Sequence, residues 1–442
     1  MELNIGIDDT DSTKGGCTTY IAARLVEDLS QKNVRFIDYP NIIRLNPNIP
    51  YKTRGNAAVA LRLNIQADTY DDIMETVIHE VEENSRVGEA GTDPAVVLLK
   101  GRPTSEIKQL SQKCMQIVVS VNAALRVAKS SQATAVTYGT KLGLVGALAA
   151  VGQTLDHDHT FELVAYRTHE NWGRPRRVDD DSVRKMDQAT APGTFNNYDY
   201  ENKRTLITPH GPDPVLLGIR GENPEILVKA FRMLKILEPV ERWTLFRTNH
   251  GTDAHLQPFD KNRGVKTNSP IVLRGTVANK PTRIPGGHVF FTLKSYRRGI
   301  ECAAFEPTGR FREVVSELLP GDVVTVYGGV KRRAEDLPLQ ANLEKLFIHR
   351  LAKQVVFENP LCPTCKKRMK SAGRGQGFRC ERCAATSPNG RKIMVRKPRM
   401  LRVGLYIPDK KANRHLTKPI SRYGFERKHW NHLAPSAPWH EP

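Results

Sequence analysis

The chain has 442 residues, of which 39% are hydrophobic and 26% are charged, and its formal net charge is +20. The longest apolar run, residues 143–152, is far too short to form a helix that spans a bilayer. Seven cysteines, four of them in C-x-x-C pairs, argue against a disulfide-stabilised secreted domain. We therefore expect a cytoplasmic protein of three or four domains, since single cores stop growing near roughly 250–300 residues.

The chain opens with a predicted strand, an acidic loop and a predicted helix. Hydrophobic residues alternate from Leu3 to Ile7, as in a buried strand, and recur every four residues from Ile21 to Leu29, as in an amphipathic helix. Between them lie Asp8, Asp9 and Asp11. This order places three carboxylates at the carboxyl end of a strand, where open α/β sheets bind ligands.

The composition of this loop is typical of a site for a metal and a nucleotide. Three carboxylates within four residues repel one another unless a cation offsets them, and their oxygens suit magnesium, which usually arrives with phosphates. Gly15 and Gly16 let the backbone approach a phosphate, and Thr18 or Thr19 is expected to cap a helix whose N-terminus favours an anion. An acidic turn with an ordinary capping threonine is the alternative.

Residues 1–130 alternate predicted strands and helices, which indicates an α/β layer domain. The elements are predicted as a strand over 57–65, a helix over 70–85 and a strand over 94–99. Arg54 stands just before the first of these, where it could pair with phosphate or form a surface salt bridge. Residues 113–128 look helical or mixed, and the pattern does not place them in the domain.

Residues 131–257 predict a ferredoxin-like domain. The pattern predicts a strand over 135–138, a helix over 142–151, strands over 161–166 and 215–219, a helix over 224–234 and a strand over 243–247. This order requires residues 167–214 to form a long excursion, which is uncommon unless it is functional. The excursion carries an acidic group, Asp179–Asp181, and the polar residues Asn196 and Asp199, which could line a small-molecule pocket or belong to a solvated loop.

After a polar linker, residues 267–355 predict an OB-fold barrel. The predicted order is three strands, a helix and two strands, with basic and aromatic residues such as Arg274, Phe291 and Lys294 along the strands. OB barrels often bind single-stranded nucleic acid by stacking and backbone contacts. In the alternative interpretation Phe291 and its neighbours simply fill the barrel.

Residues 358–390 predict a zinc ribbon. Cys362 and Cys365 form one C-x-x-C unit, and Cys380 and Cys383 form a second unit fourteen residues later, which is a strong signal for a structural zinc site. The following tail, 391–442, is basic and carries several aromatic residues; from residue 384 onward there are 13 lysines and arginines against 3 acids. Such a tail favours a nucleic-acid backbone and could stay disordered until a partner orders it.

Together these motifs resemble one family closely, the archaeal tRNA(Ile) 2-agmatinylcytidine synthetases. The resemblance lies in the loop from Gly6 to Tyr20, residues 53–56, the small-residue run 143–150 and the ribbon cysteines, and it covers nearly the whole chain. The fold it implies is multidomain, α/β and α+β: an unusual kinase-like N-terminal domain, a ferredoxin-like domain, an OB barrel, and a zinc ribbon with a basic tail.

The resemblance implies an ATP-dependent ligase that joins agmatine to C2 of the wobble cytidine of the isoleucine tRNA with a CAU anticodon. The product, agmatidine, would make the tRNA decode AUA. The kinase-like domain would phosphorylate the cytidine while ATP becomes AMP. Phosphorylation is chemically sensible because the C2 oxygen of cytosine is a poor leaving group. The expected partners are tRNA and agmatine, without a membrane, and the expected state is a monomer.

The resemblance also implies roles for single residues. Asp8, Asp9 and Asp11 would hold magnesium and ATP, and Thr18 matches a threonine that becomes autophosphorylated. The expected ATP-binding residues are Gly6, Asp8, Asp9, Asp11, Gly15, Gly16, Thr18, Thr19 and Arg54. Agmatine is a dication at neutral pH, so its pocket needs carboxylates and carbonyls. Asn196 and Asp199, with the Asp179–Asp181 group, are the candidates for it.

Two other functions fit parts of the sequence. A non-catalytic tRNA-binding protein accounts for the barrel, the ribbon and the charge, but it leaves the aspartate loop unexplained. A metal-dependent nuclease that uses Asp8, Asp9 and Asp11 would shorten RNA in the presence of magnesium without ATP. The ligase instead predicts an intact RNA that is heavier by one agmatine.

Overall fold

One large sheet supports the N-terminal half of the protein. The computed structural model describes residues 1–52, 55–258, 264–295, 298–332, 337–428, 434–436 and 438–442, and eleven strands of this part share the sheet. Residues 1–152 contain β1 (Glu2–Asp8), α1 (Thr18–Ser30), β2 (Arg35–Phe36), β3 (Asn41–Arg44), β4 (Ala57–Asn64), α2 (Tyr70–Asn84), β5 (Ala95–Lys100), α3 (Ser105–Gln116), α4 (Val121–Ser130), β6 (Thr134–Thr137) and α5 (Gly143–Gly152). Residues 153–257 contain β7 (Thr160–Arg167), α6 (Asp180–Thr190), β8 (Thr194–Phe195), β9 (Tyr198–Asp199), β10 (Arg204–Thr205), β11 (Val215–Gly221), α7 (Pro224–Arg232) and β12 (Val240–Thr248).

The two N-terminal units are joined edge to edge. The strand order is β6-β5-β1-β4-β3-β12-β7-β11-β8, with β2 beside β4. The seam lies between β3 and β12, which pair in parallel where Asn41 stands opposite Arg247. In contrast, β1 runs antiparallel to both of its neighbours, β4 and β5. The acidic loop therefore follows a central antiparallel strand, and its position is not that of a switch point in a parallel sheet.

The strand and helix that open the predicted ferredoxin-like pattern pack onto the first unit. Strand β6 pairs with β5, with Ala95 opposite Thr137, and α5 packs across β1, β4 and β5. The close approach depends on Gly6 of β1, where a Cβ atom would overlap the carbonyl of Ala147 in α5. The predicted order of six elements is present, and the boundary near residue 130 stays a prediction because the sheet is continuous there.

Both faces of the sheet around β1 are covered. Leu3, Ile5 and Ile7 are fully buried on the face that α1 and α2 cover, and α3, α4 and α5 cover the other face. The unassigned residues 113–128 contain the end of α3 and most of α4, which begin after the capping side chains of Thr104 and Ser120. Among the described residues, no helix has both the length and the apolar character needed to cross a membrane.

The excursion over residues 167–214 is ordered and contains α6 with the short strands β8, β9 and β10. Its first residue, Arg167, is fully buried and donates to the carboxylate of Glu238 and to the carbonyl of Arg174. This buried ion pair fixes the start of the excursion against the end of the ferredoxin-like unit. The segment is therefore a structured insertion and not a solvated loop.

The OB barrel is confirmed. It contains β13 (Pro270–Val277), β14 (Thr282–Arg283), β15 (Val289–Ser295), β16 (Arg298–Ala304), α8 (Arg310–Ser316), β17 (Val323–Arg332) and β18 (Leu339–Arg350). Five strands run in the order β13-β17-β18-β16-β15, and pairing of Val277 with Leu293 closes the barrel. Phe291 is buried in the barrel core, so it fills the barrel and does not offer a stacking surface.

The C-terminal part contains β19 (Gln354–Glu358), β20 (Lys370–Ser371), β21 (Phe378–Arg379), β22 (Thr386–Ser387), β23 (Ile393–Lys397), β24 (Gly404–Tyr406) and β25 (His440–Glu441). The described residues of the tail pack on the rest of the protein. Strand β24 pairs with β18, and β25 pairs with β12 of the large sheet. Arg422 is fully buried between Glu222 and Asp158 of the ferredoxin-like unit.

Candidate functional site

The acidic loop is a tight turn between β1 and α1. Asp9 has a positive φ of 59°, a conformation that aspartate tolerates better than most residues. The loop closes where the backbone N–H of Ser12 donates to the carbonyl of Gly15 at 2.8 Å. Gly16 has a φ of +82°, and a Cβ atom there would lie 2.9 Å from the carbonyl oxygen of Thr10. Glycine is thus required at position 16 by both conformation and space.

The N-terminal turn of α5 contacts this loop and explains the small-residue run. A Cβ atom at Gly146 would overlap the carboxylate of Asp8, and one at Gly143 would lie 3.1 Å from the Cβ atom of Asp9. The backbone N–H of Gly143 donates to the carbonyl of Asp93 at 3.2 Å, which ties α5 to the strand entry of β5. The helix N-terminus therefore lies beside the carboxylates, and its dipole favours negative charge there.

Two of the three loop aspartates hold their protons unusually tightly. Burial, reinforced by the neighbouring charge of Asp9, raises the pKa of Asp8 well above its ordinary value. Burial also raises the pKa of Asp9 to about 6, although the backbone N–H of Asp93 donates to it at 3.1 Å. Such carboxylates are poorly compensated by the protein alone, and a bound cation would favour their charged forms.

Asp8, Asp9 and Asp11 line one cavity of about 470 Å³. Its wall combines acids and hydroxyls with a large apolar surface, a mixture suited to a nucleotide with a polar phosphate chain and a flat base. The apolar residues of the lining include Leu45, Ile49, Tyr51, Ile117, Val118, Val119, Leu142 and Val145. Tyr51 and Val118 are exposed at 58% and 43%, so this apolar wall reaches the surface.

Helix α1 begins differently from the sequence prediction. Its N-cap is Cys17, which makes no side-chain capping bond, and Thr18 and Thr19 are its first two residues, so neither threonine is the cap. Thr18 is buried, and its hydroxyl lies 3.0 Å from the hydroxyl of Thr10. The first helical turn carries no acidic residue. This end of α1 therefore keeps the positive character that attracts an anion.

The beginning of α1 opens into a second cavity, also of about 470 Å³, which touches the first one. Asp11, Gly55 and Ala57 line both cavities, and Cys17, Thr18 and Thr19 line the second. The second cavity is rich in cationic and imidazole side chains, which are Arg44, Arg204, His210, Arg220, His250, Lys410, Arg414 and His415. Such a lining suits the phosphates of a nucleic acid.

Three of these residues come from the basic tail. Lys410 donates to the carbonyl of Tyr198 at 2.9 Å, Arg414 lies 3.1 Å from the carboxylate of Glu344 in the OB barrel, and the His415 ring stands over the Gly55 position. The charge of the tail predicted RNA binding, and nothing in the sequence placed the tail at this cavity. No local signal could have shown this, because the contacts join segments far apart in the chain.

A buried charge cluster forms the floor of the second cavity. Glu162 lies 2.9 Å from Arg220 and 3.5 Å from Arg44. Burial alone would raise the pKa of Glu162, but Arg220 and His250 hold it well below the ordinary value. Burial, with the charge of Arg220, lowers the pKa of His250 to about 3, so this imidazole is neutral at physiological pH. The one sequence signal for this cluster is Glu162, an acidic residue inside the otherwise apolar middle of strand β7.

The predicted substrate residues separate in the structure. Asn196 lines the second cavity, and its buried Oδ1 has no hydrogen-bond partner among the described residues. Asp199 lines neither cavity, because its carboxylate accepts bonds within its own turn from Glu201 and Asn202. The structure gives no support to Asp199 as a substrate contact.

The Asp179–Asp181 group also lies outside both cavities. Asp179 caps α6 by accepting from the backbone N–H of Ser182, and Asp180 accepts from the hydroxyl of Tyr198. Asp181 is exposed and pairs within α6 with Arg184. All three carboxylates therefore serve the local structure of the insertion, and they are not available to a ligand in either cavity.

The three glycines predicted to contact ATP determine the backbone conformation around the first cavity but do not line it. Gly6, Gly15 and Gly16 line neither cavity; the first permits the approach of α5, and the other two form the loop turn. Arg54 lies outside the described residues. Within the described chain, Asp8, Asp9 and Asp11 do not converge as a preformed metal cluster. Magnesium usually needs only one or two carboxylates together with phosphates, so the acids present fit it.

The zinc ligands predicted from the sequence come together. The sulfur atoms of Cys362, Cys365, Cys380 and Cys383 lie within 4.8 Å of one another, and they are the one group of three or more potential ligands found among the described residues. The backbone N–H of Cys365 helps to lower the pKa of Cys362 to about 6, which favours a thiolate. Four cysteine sulfurs in this arrangement form a closed, structural type of zinc site.

Family models match the chain domain by domain. Residues 4–69 match the model described as the TiaS TCKD domain, and residues 141–255 match the TiaS FLD domain. Residues 271–348 match an OB-fold nucleic acid binding domain, and residues 359–401 match the TiaS C-terminal zinc ribbon domain. The matched regions follow the same order as the units of the structure.

Whole-chain relatives agree with the domain matches. The chain is 40% identical over 439 residues to TiaS of Staphylothermus marinus, a 2-agmatinylcytidine synthetase for an isoleucine tRNA, covering 97% of this chain and 95% of that protein. It is 41% identical over 428 residues to the protein of the same name from Methanosarcina mazei, covering 95% and 97%.

Two solved structures are similar over nearly the full chain. A crystal structure of TiaS in complex with its isoleucine tRNA and ATP has a TM-score of 0.87 and 39% identity, covering 96% of this chain and 97% of that one. A crystal structure of TiaS with the same tRNA, AMPCPP and agmatine has a TM-score of 0.85 and 38% identity, with the same coverage. At these values the similarity extends to all units of the chain, including the ribbon and the tail.

Proposed function

Because this chain belongs to the TiaS family of isoleucine tRNA 2-agmatinylcytidine synthetases, we propose that its two adjoining cavities divide one ligase reaction between them. The protein is an ATP-dependent ligase that joins agmatine to C2 of the wobble cytidine of the isoleucine tRNA with a CAU anticodon. The modified tRNA then decodes AUA. The observation that carries the division is that Asp11 lines both cavities and Thr18 lines the second, so a phosphoryl group can pass between them.

ATP occupies the first cavity in this proposal. The apolar wall with the exposed ring of Tyr51 receives the adenine, and Asp8, Asp9 and Asp11 face the phosphates. Asp8, Asp9 and Asp11 would hold a magnesium ion, whose charge would offset their mutual repulsion and the penalty of their burial. The N-terminus of α5, at Gly143, adds a favourable dipole without adding a side chain.

The chemistry requires activation of an oxygen that leaves poorly. Transfer of a phosphoryl group from ATP to the C2 oxygen of cytosine forms a phosphate ester of the base. The amine nitrogen of agmatine attacks C2, the C2–O bond breaks, and inorganic phosphate leaves with the electron pair while the nitrogen loses a proton. One such transfer converts ATP to ADP, and conversion to AMP requires a second acceptor. The Thr18 hydroxyl, which lines the second cavity, fits that role: it loses its proton as it takes the phosphoryl group, and water later hydrolyses the phosphothreonine to release inorganic phosphate and restore the hydroxyl. The protein's contribution is positioning and electrostatic stabilisation.

The second cavity receives the cytidine and agmatine. The wobble base must leave the anticodon stack to reach it, as other base-modifying enzymes require. Arg204, Lys410 and Arg414 lie where they can pair with the phosphates around the extruded nucleotide. Asn196 presents an unsatisfied buried carbonyl oxygen, which fits the N–H donors of the agmatine guanidinium. The barrel, zinc ribbon and tail hold the remaining tRNA, and the protein acts in the cytoplasm as a monomer.

Mass spectrometry of the anticodon fragment tests this function directly. Purified protein, the isoleucine tRNA transcript, ATP, magnesium and agmatine should give an RNA of unchanged length that is heavier at the wobble cytidine by agmatine less water. The D8A variant should lose AMP formation and keep tRNA affinity. RNA shortened by magnesium alone would establish a nuclease, and bound but unmodified RNA without AMP release would establish a binding protein.

A further inference from the structure

An exposed pair of strands lies between the OB barrel and the zinc ribbon along the chain. Strands β19 and β23 form a two-stranded ribbon, in which Phe357 stands opposite Met394 and Val355 opposite Arg396. Residues that face each other across an antiparallel pair lie on the same side, as do residues two apart in a strand. These four residues therefore share one side of the ribbon, which we call the Phe357 face.

The Phe357 face is unusually apolar for an exposed ribbon. Phe357 is 66% exposed, Met394 is 64% exposed and Val355 is 38% exposed. A lone exposed hydrophobic side chain is ordinary, but three adjoining ones on an unsupported ribbon indicate a surface that binds something. None of the three belongs to a hydrophobic core, since neither the core of the OB barrel nor that of the zinc ribbon contains them.

The charges around the two sides of the ribbon differ. On the opposite side, Glu358 pairs with Lys397 at 2.5 Å and also with Arg368, so those cations are neutralised. On the Phe357 face, Arg396 is exposed and pairs with no acid within the part of the chain that the structure describes. An aromatic ring beside an uncompensated arginine is the arrangement that single-strand RNA-binding surfaces use, one group stacking on a base and the other meeting the backbone.

We propose that the Phe357 face is a stacking platform for one unpaired base of the bound tRNA, with Arg396 on an adjacent phosphate. The proposal rests on the proposed function only in naming the RNA as a tRNA. Stacking of a base on Phe357 does not depend on the ligase reaction. The platform lies on the ribbon that joins the barrel to the zinc domain and includes no residue of the two cavities. It should therefore contribute to affinity for the tRNA and not to the chemical step.

Binding of labelled tRNA to the F357A variant is the first test, with zinc content confirming that the ribbon module is folded. Loss of one base-stacking contact should weaken binding about five- to hundredfold, while turnover at saturating tRNA stays unchanged. The control is M400A, because Met400 is 90% exposed and outside the face. Equal affinity of F357A and wild type would overturn the proposal, as would a lowered turnover at saturating tRNA.

A tryptophan probe distinguishes a base from other occupants. The fluorescence of F357W should be quenched by the tRNA and by a single-stranded oligonucleotide, and that of M400W should not. The slope of log affinity against log salt should fall by about 0.7–0.9 in R396A and stay unchanged in F357A. If the tRNA does not quench the fluorescence of F357W, RNA is not the occupant of the face. The same conclusion follows if sedimentation shows that wild type is a dimer and F357A is a monomer. If wild type transferred no agmatine but Phe357 still governed RNA binding, the proposed function would fail and the platform would stand.

Discussion

The carboxylate of Asp8 occupies the space that a side chain at Gly146 would fill. Asp8 ends β1, and Gly146 lies in the first turn of α5. The acidic loop and α5 are therefore in direct contact at this point, with no space for a side chain between them. The fit explains why small residues run through α5 in a position where a helix would otherwise favour larger ones. It also gives the first prediction.

The G146A variant should lose activity although alanine is the better helix former. The added methyl group must displace the Asp8 carboxylate, and a misplacement of about 1 Å in a catalytic group can lower kcat/KM about a hundredfold. We expect a drop of that order in AMP formation, with the tRNA dissociation constant unchanged. D8N is the comparison, since it removes the charge without crowding the site; an active G146A would show that the contact is not important.

The D8N variant should be more stable than wild type in the absence of ligands. The pKa of Asp8 is raised by burial, so the folded protein holds this proton more tightly than the unfolded chain does. The resulting stability is present below the ordinary pKa of 3.8 and is lost as the pH rises toward the folded value. At pH 7 the neutral amide of D8N avoids the cost of burying a charged carboxylate, so the Tm of D8N should lie a few degrees above that of wild type. At pH 3 the difference between the two proteins should vanish.

Binding of magnesium and ATP should strengthen as the pH rises through about 6. Burial raises the pKa of Asp9 to about 6, so at lower pH the carboxylate must lose a proton before it can face a cation. Calorimetry in two buffers of different ionisation enthalpy at pH 5.5 should show protons released on binding. The release should shrink in D9N, and an unchanged release would place the titrating group elsewhere.

Replacement of Cys380 should expel zinc and unfold the ribbon module. A structural zinc contributes on the order of 10 kcal/mol to such a small module, whose own buried cluster is limited to a few residues around Met369 and Phe378. We expect C380S to bind tRNA more weakly while ATP turnover at saturating RNA changes less. Zinc analysis and a calorimetric trace with one missing transition check this. A folded ribbon without zinc would contradict the structural role.

Removal of the buried Arg422 side chain should destabilise the N-terminal half of the protein. Its guanidinium lies 2.6 Å from Glu222 and 2.9 Å from Asp158. R422M leaves those carboxylates with the longer ion pairs to Arg427, 3.5 Å from Glu222, and Lys418, 3.7 Å from Asp158. Breaking one side of a buried ion pair costs about 3–5 kcal/mol. Denaturant unfolding should show a loss of about 3 kcal/mol, at the lower end of this range because Arg427 and Lys418 still face the two carboxylates. R402M, at an exposed position, should show almost none.

The parts of the site that a local pattern specifies could be predicted from the sequence. Asp8, Asp9 and Asp11 line one cavity because strand, turn and helix follow one another in the chain. The four cysteines converge because each C-x-x-C turn is local and the zinc-ribbon spacing is characteristic. The OB barrel followed from the order of its strands and helix, since its core depends on alternation within each strand.

The parts that depend on long-range packing could not be predicted. Nothing in the pattern of α5 shows that it packs on β1 and not on the ferredoxin-like strands, because its apolar surface fits either. Cys17 takes the cap position that hydroxyl preference gave to Thr18 or Thr19, since the turn at Gly16 sets where the helix begins. Asp199 and Asn196 are similar in sequence context, and only the fold distinguishes a turn residue from a cavity residue.

The wall that Lys410 contributes to the second cavity has a consequence for how the protein is made. Lys410 donates to Tyr198 across 212 residues of sequence. A ribosome that adds about 5–20 residues per second needs roughly 10–40 s to reach the later partner after the earlier one. Throughout that interval the second cavity lacks one wall, and its cationic lining is exposed to the RNA of the cell. Only after the late segment docks does the pocket acquire its final shape.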